Sequence, residues 1–153
     1  MRYTTLLAAL LTLTLSAVAA CAPAAVPSDP HAAGAGAAAS AQRTWEAGRP
    51  AAYAYNLEIS CFCIHRGQYA VEVRNGQIAS ARDAATGQPA EAGRVQWLVT
   101  VDQLFARITE AARAGKPVRA EYHPQLGYPM EAEVGLLADD SGTLYRITDL
   151  RPL

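Results

Sequence analysis

The sequence predicts an α+β domain: an antiparallel sheet packed in two layers against one main helix, in the chain order β-β-β-α-β-β-β. Three observations predict it. Six short segments alternate apolar and polar residues, the period of half-buried strands. Asn75-Gly76 stands between two of these segments, and this pair suits the type I′ turn that joins hairpin strands. A single segment, opening at Thr100, carries apolar residues at a helical period behind a capping box. One apolar helix face needs one apolar sheet face to cover it.

The chain opens with a leader. Arg2 precedes an apolar run from Leu6 to Ala20, which ends at Val18-Ala19-Ala20-Cys21. This is the pattern of a secretory signal peptide, residues 1–20, closed by a lipobox in which Cys21 is acylated. The run is shorter than the roughly twenty residues of a membrane-spanning helix. Ala17-Val18-Ala19 also fits an ordinary small-x-small cleavage site. Cysteine parity favours the lipobox: of three cysteines, lipid on Cys21 leaves the even pair Cys61 and Cys63, which suits an oxidising compartment. The expected location is therefore extracytoplasmic, periplasmic or at the cell surface, on a bacterial membrane.

Residues 22–44 are dominated by Ala, Pro, Gly and Ser. They read as a flexible tether that buries too little surface to offset its ordering entropy. His31 falls within it as a solvated linker residue. The remainder, 45–153, is one domain with room for one core. A formal net charge of −1 leaves no basic stripe for nucleic acid.

The first strand runs through Tyr53, Tyr55, Leu57, Ile59, Cys61 and Cys63, alternating with Ala54, Asn56, Glu58, Ser60 and Phe62. The second carries Tyr69, Val71 and Val73, and Gln77 to Arg82 returns after the Asn75-Gly76 turn. Residues 83–96 are polar, contain Gly87-Gln88-Pro89, and read as an irregular loop. The helix has Thr100 as N-cap and Gln103 three residues on, with Asp102 favouring the positive end of its dipole. Val101, Leu104, Phe105, Ile108, Ala111 and Ala112 make its apolar face; Gly115 and Pro117 end it. Three strands follow, on Val118-Ala120-Tyr122, on Met130-Ala132-Val134-Leu136 and on Thr143-Tyr145-Ile147. Their opposite residues, with Glu58, Glu72, Glu121, Glu131 and Glu133, form a solvated face. Most of the seven tyrosines fall on strands. They suit a core with hydrogen-bonding tips, or else the wall of a ligand groove.

Four pieces occur together in order: Tyr53-Ala54-Tyr55, Ser60-Cys61-Phe62-Cys63, Thr100-Val101-Asp102-Gln103-Leu104-Phe105, and Tyr122-His123-Pro124-Gln125-Leu126-Gly127-Tyr128-Pro129. Over roughly residues 45–150 the chain resembles a family of bacterial secreted and lipid-anchored proteins, domain of unknown function 6174. His123 departs from the Tyr-Asp-Pro form of that pattern. The resemblance implies an extracytoplasmic α+β domain in which the cysteine pair matters. It implies no activity and no cofactor.

Cys61-Phe62-Cys63 is the candidate chemical site, and three readings stand. One is a disulfide. In a regular strand, Cα atoms two residues apart are about 6.7 Å from each other, so a bridge needs a bulge or kink; strained bridges are more reducible. The second is a pair of buried thiols acting as small hydrophobes. The third is a metal site, in which Cys61, Cys63 and His65 share one face and offer the sulfur and imidazole that suit Cu(I) or Zn. A fourth ligand is not evident, His123 being the other histidine of the domain. Taken singly, His65 reads as an exposed strand-end residue and His123 as a turn residue. Asp139-Asp140-Ser141-Gly142 reads as a turn, since it lacks the pattern of a calcium loop.

No Gly-x-Ser-x-Gly, Walker, His-Glu-x-x-His or dinucleotide fingerprint occurs. The expected role is that of a non-enzymatic domain, held on the membrane by its N-terminal lipid, that binds an envelope protein or ligand. The alternative is a thiol-redox or metal-handling protein that uses Cys61 and Cys63.

Overall fold

A computed structural model describes residues 30–153, with side chains from residue 36. The expected signal peptide, the expected lipidation site Cys21 and the first part of the expected tether lie outside the described residues. The elements are helix α1 (Pro30–Gly48), strands β1 (Ala52–Ser60), β2 (Gly67–Arg74) and β3 (Gln77–Asp83), helices α2 (Ala92–Val95) and α3 (Val101–Arg113), and strands β4 (Val118–Tyr122), β5 (Pro129–Val134) and β6 (Thr143–Pro152). One 3-10 turn, Leu137–Asp139, precedes β6. The fold is α+β, with a six-stranded sheet in the spatial order β3-β2-β1-β6-β5-β4 and every pairing antiparallel.

The expectation of one main helix is corrected by α1. The segment expected to be a flexible tether through residue 44 is helical from Pro30. Alanine is the best helix former, and proline suits the first helical position. Composition poor in large apolar groups misleads here because one large residue, Trp45, carries most of the burial. Trp45 is 2 % exposed, Ala38 is buried on the same face, and Ala41 between them packs on the core.

The 83–96 segment is also more ordered than expected. The Ala90 amide donates to the Ala81 carbonyl at 2.9 Å beside a bridge between Arg82 and Pro89, and α2 follows. Around Asn75-Gly76 the expected hairpin forms, with φ of 51° and 75° and Arg74 opposite Gln77. The last strand does not extend the sheet at its edge. It returns to the centre, pairing with β1 on one side and β5 on the other.

α3 begins as its sequence dictates. The Thr100 hydroxyl accepts from the Gln103 amide at 3.2 Å, and the Gln103 side chain accepts from the Thr100 amide at 2.8 Å. Val101, Leu104, Phe105, Ile108 and Ala111 are buried against the sheet. Asp102 does more than favour the dipole. Its carboxylate accepts from Trp45 Nε1 at 3.2 Å and from Arg49 at 2.6 Å, joining α1 to the start of α3.

The inner sheet face supplies Tyr53, Tyr55, Leu57, Ile59, Tyr69, Val71, Tyr145 and Ile147. Tyr53, Tyr55, Tyr69 and Tyr145 are thus core residues: Trp45 meets Tyr53 edge to face at 5.3 Å between centroids, and Tyr55 donates its hydroxyl to the Val99 carbonyl. On the other face Arg146 bridges Glu58 on β1 (3.2 Å) and Glu131 on β5 (2.8 Å), as their register demands.

Burial pushes the Tyr53 phenol up to about 12, with the Asp102 carboxylate adding to the effect, and pushes Tyr55 up as well. Both native phenols therefore stay neutral where the unfolded chain begins to ionise near its ordinary value of 10.0. Their contribution to stability is complete below that pH and is lost as pH rises above it. Urea unfolding between pH 8 and 11.5 is expected to show a falling midpoint above pH 10. Tyr53→Phe is expected to reduce that slope.

Candidate functional site

β1 stops at Ser60, two residues short of the alternation that its sequence carries to Cys63. The reason lies in the cysteines. Cys61 and Cys63 have Cα atoms 5.2 Å apart and their sulfurs in contact, which an extended strand does not allow. The chain leaves the sheet and turns through Phe62, Ile64 and His65 before β2 starts at Gly67. Phe62 is 75 % and Ile64 82 % exposed, whereas Cys61, Cys63 and His65 are half-buried.

Residues of the neighbouring elements hold this turn. The Tyr69 hydroxyl, on the buried face of β2, donates to the His65 carbonyl at 3.2 Å. Arg94, on α2, donates to the Arg66 carbonyl at 3.5 Å. Just beyond α2, Trp97 lies flat on His65, with centroids 4.9 Å apart and planes at 9°. The expected exposed strand-end histidine is therefore a stacked one. Burial, with the positive charge of Arg107 adding to it, holds the imidazole below its ordinary value, which favours the neutral ring. Trp97 was not legible as a site residue, because nothing in its local sequence marks it as a neighbour of His65.

The ligand atoms of Cys61, Cys63 and His65 all lie within 4.8 Å of one another. The three residues that share a face by spacing are thus brought together, although on a turn and not on a strand. Beside them an open groove of about 570 Å³ runs onto the outer sheet face, lined by Glu58, Ser60, Cys61, Phe62, Arg66 and Gln68 among others.

His123 belongs elsewhere. Its Nδ1 accepts from the amides of Gln125 (3.3 Å) and Leu126 (3.1 Å), and its ring stacks on Tyr128 at 5.0 Å. Those are the bonds an aspartate makes at the head of such a turn, so the departure from the Tyr-Asp-Pro form keeps the turn. Asp139 and Asp140 form the turn read from sequence, with Asp140 left-handed at φ 56°. Cys21 lies outside the described residues. Among these, no helix is long and apolar enough to cross a membrane.

No curated protein and no solved structure matches the chain. A family model described as a family of unknown function, DUF6174, matches residues 37–152, beginning inside α1 and ending at the last residue of β6. The chain belongs to that family.

Proposed function

We propose that the chain is a lipid-anchored, extracytoplasmic binding domain of a bacterial envelope, without catalysis of its own, and that it grips a protein partner through the Cys61–Arg66 turn. One observation carries this reading. Two large apolar side chains, Phe62 and Ile64, stand in solvent on a short turn that a sulfur contact, a buried tyrosine and a stacked tryptophan hold in one shape. Apolar anchors held rigidly are what interface hot spots are made of.

A protein partner fits better than a lipid surface. Two side chains offer far less apolar area than the amphipathic helices that lie in a bilayer interface. The adjoining groove presents Glu58, Ser60 and Gln68, hydrogen-bonding groups suited to a crossing polypeptide. Lipid on Cys21 supplies the membrane attachment in this reading, and a second acyl chain would make it stable. A disulfide between Cys61 and Cys63 belongs to the same proposal, since export places the pair in an oxidising compartment.

The test places a photo-reactive residue at Gln68, in the groove, and compares cross-links on intact membranes. A single cross-linked protein is expected, lost in the Phe62→Ser/Ile64→Ser double variant at unchanged circular dichroism. Each truncated anchor is expected to weaken the isolated complex by about 2 kcal/mol or more. An identical cross-link in the double variant would overturn the reading. Cys21→Ser is expected to lose both acyl labelling and membrane association; retention of either would remove the lipid from the account.

A further inference from the structure

We infer that Cys61, Cys63 and His65, once the two sulfurs are reduced, form a three-coordinate site for a soft monovalent cation, Cu(I). The inference is independent of partner docking. It uses the sulfurs and the imidazole, and neither Phe62 nor Ile64.

The geometry requires little movement. Metal–ligand bonds of about 2.0–2.3 Å place ligand atoms roughly 3.5–4 Å from one another. The three donors already lie within 4.8 Å. The sulfurs need only separate from contact, which rotation about the cysteine side chains provides while the Cα atoms stay near their 5.2 Å spacing. His65 does not have to be recruited. Trp97 stacks on its ring, and Tyr69 fixes its carbonyl, so much of the entropy of ordering this ligand is spent in the fold.

The donor set selects the cation. Two soft thiolates and a borderline imidazole suit copper, and three ligands complete a trigonal Cu(I) site. A structural zinc site needs four. Among the described residues this is the one group of three or more such side chains within ligating distance. Two thiolates around Cu(I) leave a net negative charge. Arg66 follows His65 directly on the same turn, a positive charge that suits the loaded site.

The redox step balances with a named partner. An external dithiol attacks one sulfur of the Cys61–Cys63 bond and forms a mixed disulfide; its second thiol then releases the reduced pair. Two electrons and two protons pass to Cys61 and Cys63, and the donor leaves as its own disulfide. Cu(I) then displaces the two thiol protons to solvent. The disulfide form has no thiolate to offer, so only the reduced pair holds the cation.

The experiment uses the lipid-bearing protein purified from membranes, reduced by a small dithiol that is then removed without oxygen, and titrated with Cu(I) against a chromogenic Cu(I) chelator. The expected result is one Cu(I) per chain, a thiolate-to-copper absorption in the near ultraviolet, and an X-ray absorption shell of two sulfurs and one nitrogen. His65→Phe keeps a ring to stack on Trp97 but removes the nitrogen. It is expected to weaken binding about a hundredfold, or roughly 2.7 kcal/mol, and to leave two sulfurs in the shell. Cys61→Ser/Cys63→Ser and the oxidised protein are expected to leave Cu(I) with the chelator. The inference is overturned if His65→Phe binds as the native chain does, if the oxidised protein binds equally, or if equimolar Zn(II) displaces the copper.

Discussion

Trp45→Ala is expected to destabilise the domain by about 3–5 kcal/mol, the range for removing a buried indole. Among the described residues, nothing in the Ala-rich stretch before Trp45 can fill the space. Among the described residues of α1, Ala38 and Ala41 are the others on the core side, and neither has a side chain long enough to reach it. The loss is threefold. The edge-to-face contacts with Tyr53 (5.3 Å) and Tyr128 (6.3 Å) disappear. Asp102 loses the indole donor and keeps Arg49. A cavity opens between α1, β1 and the turn before β5. Small domains have only about 5–15 kcal/mol in total, so a fall in Tm of roughly 10–20 °C should accompany the change. Trp45→Phe keeps an aromatic body and forfeits the bond to Asp102, so it should cost clearly less. Urea denaturation followed by far-ultraviolet circular dichroism measures both. A cost below about 1 kcal/mol for Trp45→Ala would mean that α1 is an appendage and not a wall of the core.

That dependence on one residue also explains which parts of the fold were legible in the sequence. The strand alternation at Tyr69-Val71-Val73, the Asn75-Gly76 turn and the Thr100–Gln103 box are local signals, written within a few residues. Each appears where its sequence places it. α1 is also local, but its signal is helix propensity without amphipathic pattern, and low apolar content argued the other way. The central place of β6 rests on pairing between the first strand and the last, for which neither segment carries a label. The cysteine site divides in the same manner. Cys61, Cys63 and His65 were found from spacing and side-chain chemistry. Trp97, Tyr69 and Arg94, which hold the turn, come from other elements. The alternation through Cys63 overran the strand because both cysteines fit a period of two. Their sulfur contact takes precedence and bends the chain away.

The second large effect is expected at Gly127, and Gly76 serves as its control. The two glycines share a left-handed backbone, with φ of 76° and 75°. A Cβ costs about 1–2 kcal/mol in that region for steric reasons internal to the residue. At Gly76 the added methyl meets nothing within 4 Å, so Gly76→Ala should cost only that amount. At Gly127 it would run into the backbone of α1: the Ala41 carbonyl oxygen, and the Trp45 amide nitrogen at 2.9 Å, with Thr44 Cβ also at 2.9 Å. Helix backbone cannot rotate aside as a side-chain end can. Either α1 shifts off the turn or the turn opens, and both disturb the seat of Trp45 against Tyr128. Overpacking of this kind adds about 1–3 kcal/mol, which brings Gly127→Ala to roughly 2–5 kcal/mol in all. The difference between the two variants, read from chemical denaturation under identical conditions, isolates the contact of α1 with the turn from the cost of the backbone angle. Equal costs at the two positions would show that α1 does not press on the Leu126-Gly127-Tyr128-Pro129 turn. A larger cost at Gly127, accompanied by a change in tryptophan emission, would place the helix against it.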